Sequence, residues 1–141
     1  MAVPMHYETR YEWSGAKDQG GTTIVEGNSP LPVGGADAPG RWSPEQMLLA
    51  ATEVCLISTL LSIASLSKLT IREYRSSAEG DLTFVPKEGY KFEHIVIRPV
   101  VTVAAADLAK AKDALGRAHR FCLVARSLNF PVDVEPEFVT V

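Results

Sequence analysis

The stretch Ser43-Pro44-Glu45-Gln46-Met47-Leu48-Leu49-Ala50-Ala51-Thr52-Glu53-Val54-Cys55-Leu56-Ile57-Ser58 decides how the rest of the chain is read. Ser43 is a good N-cap, its hydroxyl able to accept from an otherwise orphaned backbone N–H. Pro44 suits the first helical position, where a missing N–H leaves nothing unpaired, and Gln46 completes a capping box with Ser43. From Met47 to Leu66 the chain is apolar on almost every face, interrupted only by small hydroxylated side chains and Glu53. That pattern predicts a long helix buried in the interior. The segment is long enough to cross a bilayer, but Glu53 and the many Ser and Thr residues favour the core helix of a soluble domain. The helix carries a thiol, Cys55, which is there either to pack or to react.

The whole chain sets the frame for that helix. With 141 residues, 46% of them hydrophobic, it fits a single domain, residues 1–141, with a core of its own. The net charge of -3 and the absence of any run of Lys or Arg argue against nucleic acid or an anionic membrane as partner. No basic segment followed by an apolar run opens the sequence, so the reading is cytoplasmic. In a reducing compartment a pair of cysteines, Cys55 and Cys122, is more usually transient and reactive than a permanent bridge.

Working outward, residues 5–13 alternate loosely, 14–21 read as a turn and 22–26 as a second strand, giving a hairpin. Residues 28–41 are rich in Gly and Pro and read as a loop near the active region. Gly20-Gly21 and Gly34-Gly35 read as turns, since neither pair opens a helix with phosphate-binding spacing. Beyond the helix, 69–84 and 90–103 read as partner strands with a turn around 86–89, Pro99 limiting regular pairing. A second helix is predicted over 107–128, because Leu108, Ala111, Leu115, Ala118, Cys122 and Ala125 step by three and four. Asn129-Phe130-Pro131 stops it, and 132–141 reads as a closing strand. The fold class is α+β.

Ala51, Thr52, Ser58 and Thr59 surround Cys55 on its helix, and Ala111, Ala114, Ala118 and Ala125 surround Cys122 on the other. Two stripes of small residues pack most simply with Cys55 against Cys122, close enough for a disulfide if their Cα atoms lie about 5.5 Å apart. Inert burial of both thiols is the competing reading. His119 and Arg126 lie within one turn of Cys122, and each is either a supporting cation or a solvated residue at the edge of the apolar face. Glu45 either favours the helix dipole or orients a cation beside Cys55. His119 with Cys122 falls short of a zinc ligand set unless Cys55 and His94 converge, so no metal is expected. No nucleophile elbow occurs.

The run 43–55 together with Ala118-His119-Arg120-Phe121-Cys122 resembles the family of osmotically inducible protein C and the organic hydroperoxide resistance proteins. The family pattern, Pro-Glu-x-Leu-x-Ala-Ala before a first Cys and Ala-His-x-x-Cys at the second, is met by Pro44, Glu45, Ala50, Ala51, Cys55, Ala118, His119 and Cys122. The resemblance implies an OsmC-like fold of antiparallel strands around two long buried helices, in an intertwined homodimer. It also implies a thiol peroxidase acting on organic hydroperoxides, with Cys55 as peroxidatic and Cys122 as resolving cysteine. Glu45 would then hold an activating arginine. No cofactor is implied beyond an external dithiol reductant, lipoylated protein in the best-studied branch. Leu123 stands where many members carry Pro, and where the hydroperoxide-resistance branch has its arginine this chain offers Lys17, with Arg10 and Arg41 as spatial substitutes. Lys cannot reproduce the forked contact of a guanidinium. The alternative is a non-enzymatic member that binds an apolar small molecule, its cysteines serving as redox sensor or packing.

Overall fold

The computed structural model describes residues 4–16 and 19–141, in two compact units, Met1–Leu48 and Leu49–Val141, whose boundary falls inside the first helix. In the N-terminal unit β1 (Arg10–Trp13) and β2 (Gly21–Ile24) form the expected antiparallel hairpin, shorter than the alternation suggested, with Trp13 opposite Gly21. Gly20 has φ +64, and a Cβ there would stand 2.3 Å from the Val33 carbonyl oxygen, so only glycine fits.

The 28–41 segment is not wholly irregular. It contains β3 (Leu31–Val33), antiparallel to β2 at the edge of the order β1-β2-β3. Pro30 and Pro32 argue against a strand in sequence, but the Pro32 carbonyl accepts the Trp42 N–H at 3.1 Å on the side away from β2. The missing N–H of Pro32 lies on that same outer edge, where β2 needs no donor.

The first helix, α1, runs Pro44–Leu66. Its capping box is present: the Gln46 N–H donates to Ser43 Oγ (3.2 Å) and the Ser43 N–H to Gln46 Oε1 (3.0 Å). α1 is long and apolar enough to span a membrane by length and composition, and it is not buried all round. Thr52, Leu56, Leu60, Ile63 and Ala64 form one buried stripe at helical spacing, while Val54, Leu61 and Leu66 are exposed at 62%, 51% and 87%. Composition is uniform around the helix, so the sequence does not mark which face is covered.

The C-terminal unit is built on a long antiparallel hairpin, β4 (Glu73–Val85) and β5 (Gly89–Val103), with a bulge between Asp81 and Leu82. β5 is the central strand and supplies much of the core through Ile95, Ile97, Val101 and Val103. The predicted closing strand splits into β6 (Val132–Val134) and β7 (Glu137–Thr140), and both pair with β5 in parallel. The sheet is therefore mixed, not wholly antiparallel.

Pro99 explains the split. On that edge Ile95 donates its N–H to the Pro131 carbonyl, and Ile97 and Val103 accept from Glu135 and Val141. By the two-residue alternation Pro99 faces the same edge, at the gap between the β6 and β7 pairings where no donor is required. A proline thus sits in the middle of a central strand without an orphaned partner.

The second helix also differs from expectation. A 3-10 turn at Ala105–Asp107 leads into α2 (Leu108–Phe121), which buries Ala111, Ala114, Leu115 and Ala118 as the periodicity required. It stops at Cys122, whose backbone is extended (φ -61, ψ 109), and a one-turn helix α3 (Leu123–Arg126) follows. The sequence contains no Gly or Pro at this break to announce it.

Candidate active site

Cys55 lies midway along α1, in the C-terminal unit, and Cys122 at the joint between α2 and α3. Both are free thiols, Cys55 half-buried and Cys122 buried. The two thiols are near neighbours. Burial pushes Cys122 up to about 11 from an ordinary 9.0, the backbone N–H of Ala125 opposes the rise, and the nearby Cys55 thiol adds to it. The causes acting on Cys122 include no cation. At neutral pH Cys122 therefore keeps its proton.

This division of labour is chemical. The sulfur that has a path to solvent is the one suited to attack, and the buried protonated thiol is suited to condense afterwards. The Thr59 hydroxyl donates to the Cys55 carbonyl at 2.8 Å, the i−4 bond of a buried threonine satisfying itself on its own helix.

His119 donates Nε2–H to the Val132 carbonyl at 2.7 Å, fastening α2 to β6, and its own carbonyl accepts the Cys122 N–H at 3.4 Å. It is a half-buried brace, neither a solvated edge residue nor a cation pointing at sulfur. Arg126 is exposed on α3. In the N-terminal unit, Arg10 is exposed on β1 and Glu45 is exposed in the first turn of α1. Arg41 donates from its guanidinium to the Gly21 carbonyl, which holds the hairpin. Lys17 lies outside the described residues. His94 stands 3.9 Å from Asp81 on the long hairpin, and among the described residues no three His, Cys, Asp or Glu side chains come together to hold a metal.

One cluster was not anticipated. Glu53, the carboxylate in the body of α1, accepts a hydrogen bond from the Ser76 hydroxyl on β4. Next to it the Tyr74 hydroxyl is buried with no hydrogen-bond partner; Ser76, its proton given to Glu53, lies near without reaching bonding geometry. Desolvation first and the Glu53 charge second raise Tyr74 to about 12, with Ser76 opposing. The signal for this cluster was available, since an ionised side chain in an apolar helix requires a polar partner.

The N-terminal unit carries an apolar cleft of about 590 Å³, walled by Tyr11, Trp13, Val33, Pro44 and Met47. Its size and lining suit a small apolar molecule.

Residues 34–137 match the model of the OsmC-like protein family. The chain belongs to that family. Its sequence is 27% identical over 140 residues to the uncharacterized protein YmaD of Bacillus subtilis, covering 94% of this chain and 92% of that one. Among solved structures, this OsmC-like protein is similar to one of unknown function from Vibrio cholerae, with TM-score 0.82 and 22% identity over 94% of this chain and 99% of that one. It is also similar to an organic hydroperoxide resistance protein from Legionella pneumophila (TM-score 0.68, 23% identity, 96% and 98% covered). A third is the organic hydroperoxide resistance protein OhrB of Bacillus subtilis (TM-score 0.65, 21% identity, 95% and 98% covered). At these identities the likeness of the OsmC-like protein to the solved structures is one of fold.

Proposed function

We propose that this OsmC-like protein is a thiol-dependent peroxidase that reduces organic hydroperoxides. The observation that carries the reading is the nearness of the Cys122 thiol to Cys55, two cysteines distant in sequence, with the proton held on the buried Cys122. In the proposed cycle the Cys55 thiolate attacks the terminal oxygen of R–O–O–H. The O–O bond breaks, Cys55 becomes a sulfenic acid, and the alkoxide leaves with a proton as alcohol. Cys122 then attacks the Cys55 sulfur, its proton leaving with the hydroxyl as water, and a disulfide forms. An external dithiol, a lipoylated protein in the reading we favour, reduces that disulfide by exchange. Such chemistry belongs in a reducing compartment, which supports a cytoplasmic protein.

Glu45 is assigned the role of orienting an activating cation, with Lys17, Arg10 and Arg41 as the candidates. The exposed apolar face of α1, Val54 and Leu61, supports a homodimer in which a second copy covers it. A solution mass near twice 15.3 kDa checks the dimer, and a monomer at micromolar concentration would remove it.

The test of activity mixes reduced protein with cumene hydroperoxide and follows free thiols and peroxide together. Loss of two thiols per chain with consumption of peroxide is expected, and thiols that persist beside untouched peroxide would sink the enzyme reading. The cleft in the N-terminal unit favours a second reading, a non-enzymatic binder of an apolar small molecule whose cysteines report redox state. Saturable binding of an apolar probe with no peroxide loss is the result that would select it.

A further inference from the structure

A second cleft, of about 430 Å³ in the C-terminal unit, plays no part in the thiol chemistry. Lys112, Leu115, Gly116 and His119 line it from α2, and Val134, Pro136 and Phe138 from the closing strands. Gly116 leaves it open: nothing lies within 4 Å of where a Cβ would stand, although glycine inside a helix costs about 1 kcal/mol relative to alanine. Leu115, Val134, Pro136 and Phe138 give it apolar walls, polar surface makes up about half of the lining, and the charge at the rim is that of Lys112.

Lys112 Nζ lies 5.9 Å from the centre of the Phe138 ring, and no carboxylate among the described residues is ion-paired with it. The neighbouring acids are engaged or turned away. Asp113 is 4.0 Å from Arg117, and Glu135 is 3.1 Å from Arg98. Asp133 and Glu137 are exposed and alternate with Val134 and Phe138, which places them on the opposite sides of their strands. His119 has spent its Nε2–H on the Val132 carbonyl, so it adds no negative charge and leaves Nδ1 as the free ring nitrogen.

We propose that this cleft binds a small amphiphile carrying one carboxylate, with the carboxylate on the Lys112 ammonium and an alkyl or aryl body along Leu115, Pro136 and Phe138. An ammonium already seated against an aromatic face gains from an anion and repels an amine. The apolar walls gain from covering hydrocarbon and give nothing to a sugar or a nucleotide, which would need several converging donors. Because the His119 carbonyl accepts the Cys122 N–H, a ligand here sits one hydrogen bond from the turn that carries the resolving thiol.

The test uses octanoate as the probe, with octan-1-ol and octylamine beside it, on the reduced full chain. Binding is followed by calorimetry and by the His119 ring signals in NMR. Octanoate is expected to saturate on the order of 1 mM and to move the His119 signals, with octan-1-ol weaker and octylamine weaker again. Lys112→Met should weaken octanoate by about 3- to 5-fold and leave octan-1-ol unchanged. Gly116→Leu should remove both by filling the cleft, and if that variant fails to fold the Lys112→Met comparison decides alone. Equal affinity for octanoate and octan-1-ol, an unchanged Lys112→Met, or no saturable movement of His119 up to about 10 mM would each overturn the site. None of these readouts uses peroxide, so the outcome is independent of whether the thiols turn over.

Discussion

At the scale of single residues, the two cysteines differ in environment more than in chemistry. Cys55 is half-buried; Cys122 is buried and keeps its proton. Alkylation by iodoacetamide at pH 8 should therefore modify Cys55 at least about 10-fold faster than Cys122, because only a thiolate with access reacts. Peptide mass mapping after timed quenching measures it, and equal rates would refute the assignment. Replacing Cys122 by Ser should leave a Cys55 sulfenic acid that dimedone traps after peroxide addition, since the thiol that would condense with it is gone. The sequence placed both cysteines on apolar small-residue stripes. It could not assign the proton, which depends on how deeply each sulfur is covered once the helices are packed.

At the scale of elements, the break at Cys122 is instructive. Ala111, Ala118, Cys122 and Ala125 keep helical spacing through it, so periodicity alone reads one helix where there are two. Leu123 occupies the first position of α3, the place where proline is best tolerated, and the extended Cys122 is a backbone that can precede proline. A proline there would have announced the break. Leu123→Pro should accordingly change stability by less than about 1 kcal/mol, in either direction. Arg120→Pro, inside α2, should cost about 3 kcal/mol or more. Urea unfolding of the two variants checks the contrast, and equal losses would mean that the break is not a true helix start. The same logic applies to Pro32 and Pro99: in sequence each argues against a strand, and in the structure each turns its missing donor to an edge that asks for none.

At the scale of the whole molecule, alkaline pH is the natural stress. Cys122 is raised to about 11 and Tyr74 to about 12, each by burial first, so each resists losing its proton in the folded state more than in the unfolded chain. A folded value above the unfolded one contributes stability that is complete below the unfolded value and is lost as pH rises through the folded value. Stability of the reduced protein should therefore hold to about pH 8.5 and fall between about pH 9 and 12. Cys122→Ala should flatten the earlier part of that fall and Tyr74→Phe the later part. Thermal melts against pH in a reducing buffer measure this, and an unchanged slope in Cys122→Ala would show that the thiol does not titrate there.

What the sequence determined by itself is whatever rests on local chemistry and spacing. The capping box of α1, the two hairpins, the buried face of α2 and the helix-borne cysteine pair are of this kind, because each is written within a few turns of chain. The family likeness rests on the same short motifs. Only the tertiary structure decided which stripe of α1 is covered, the parallel pairing of β6 and β7 with β5, and the partner of Glu53. It alone showed that His119 braces β6. The physical reason is common to all of these. A uniformly apolar helix has no preferred side, a short strand can pair in either direction, and a half-buried polar atom finds its partner across the fold. Each choice is made by groups distant in sequence, which spacing along the chain does not encode.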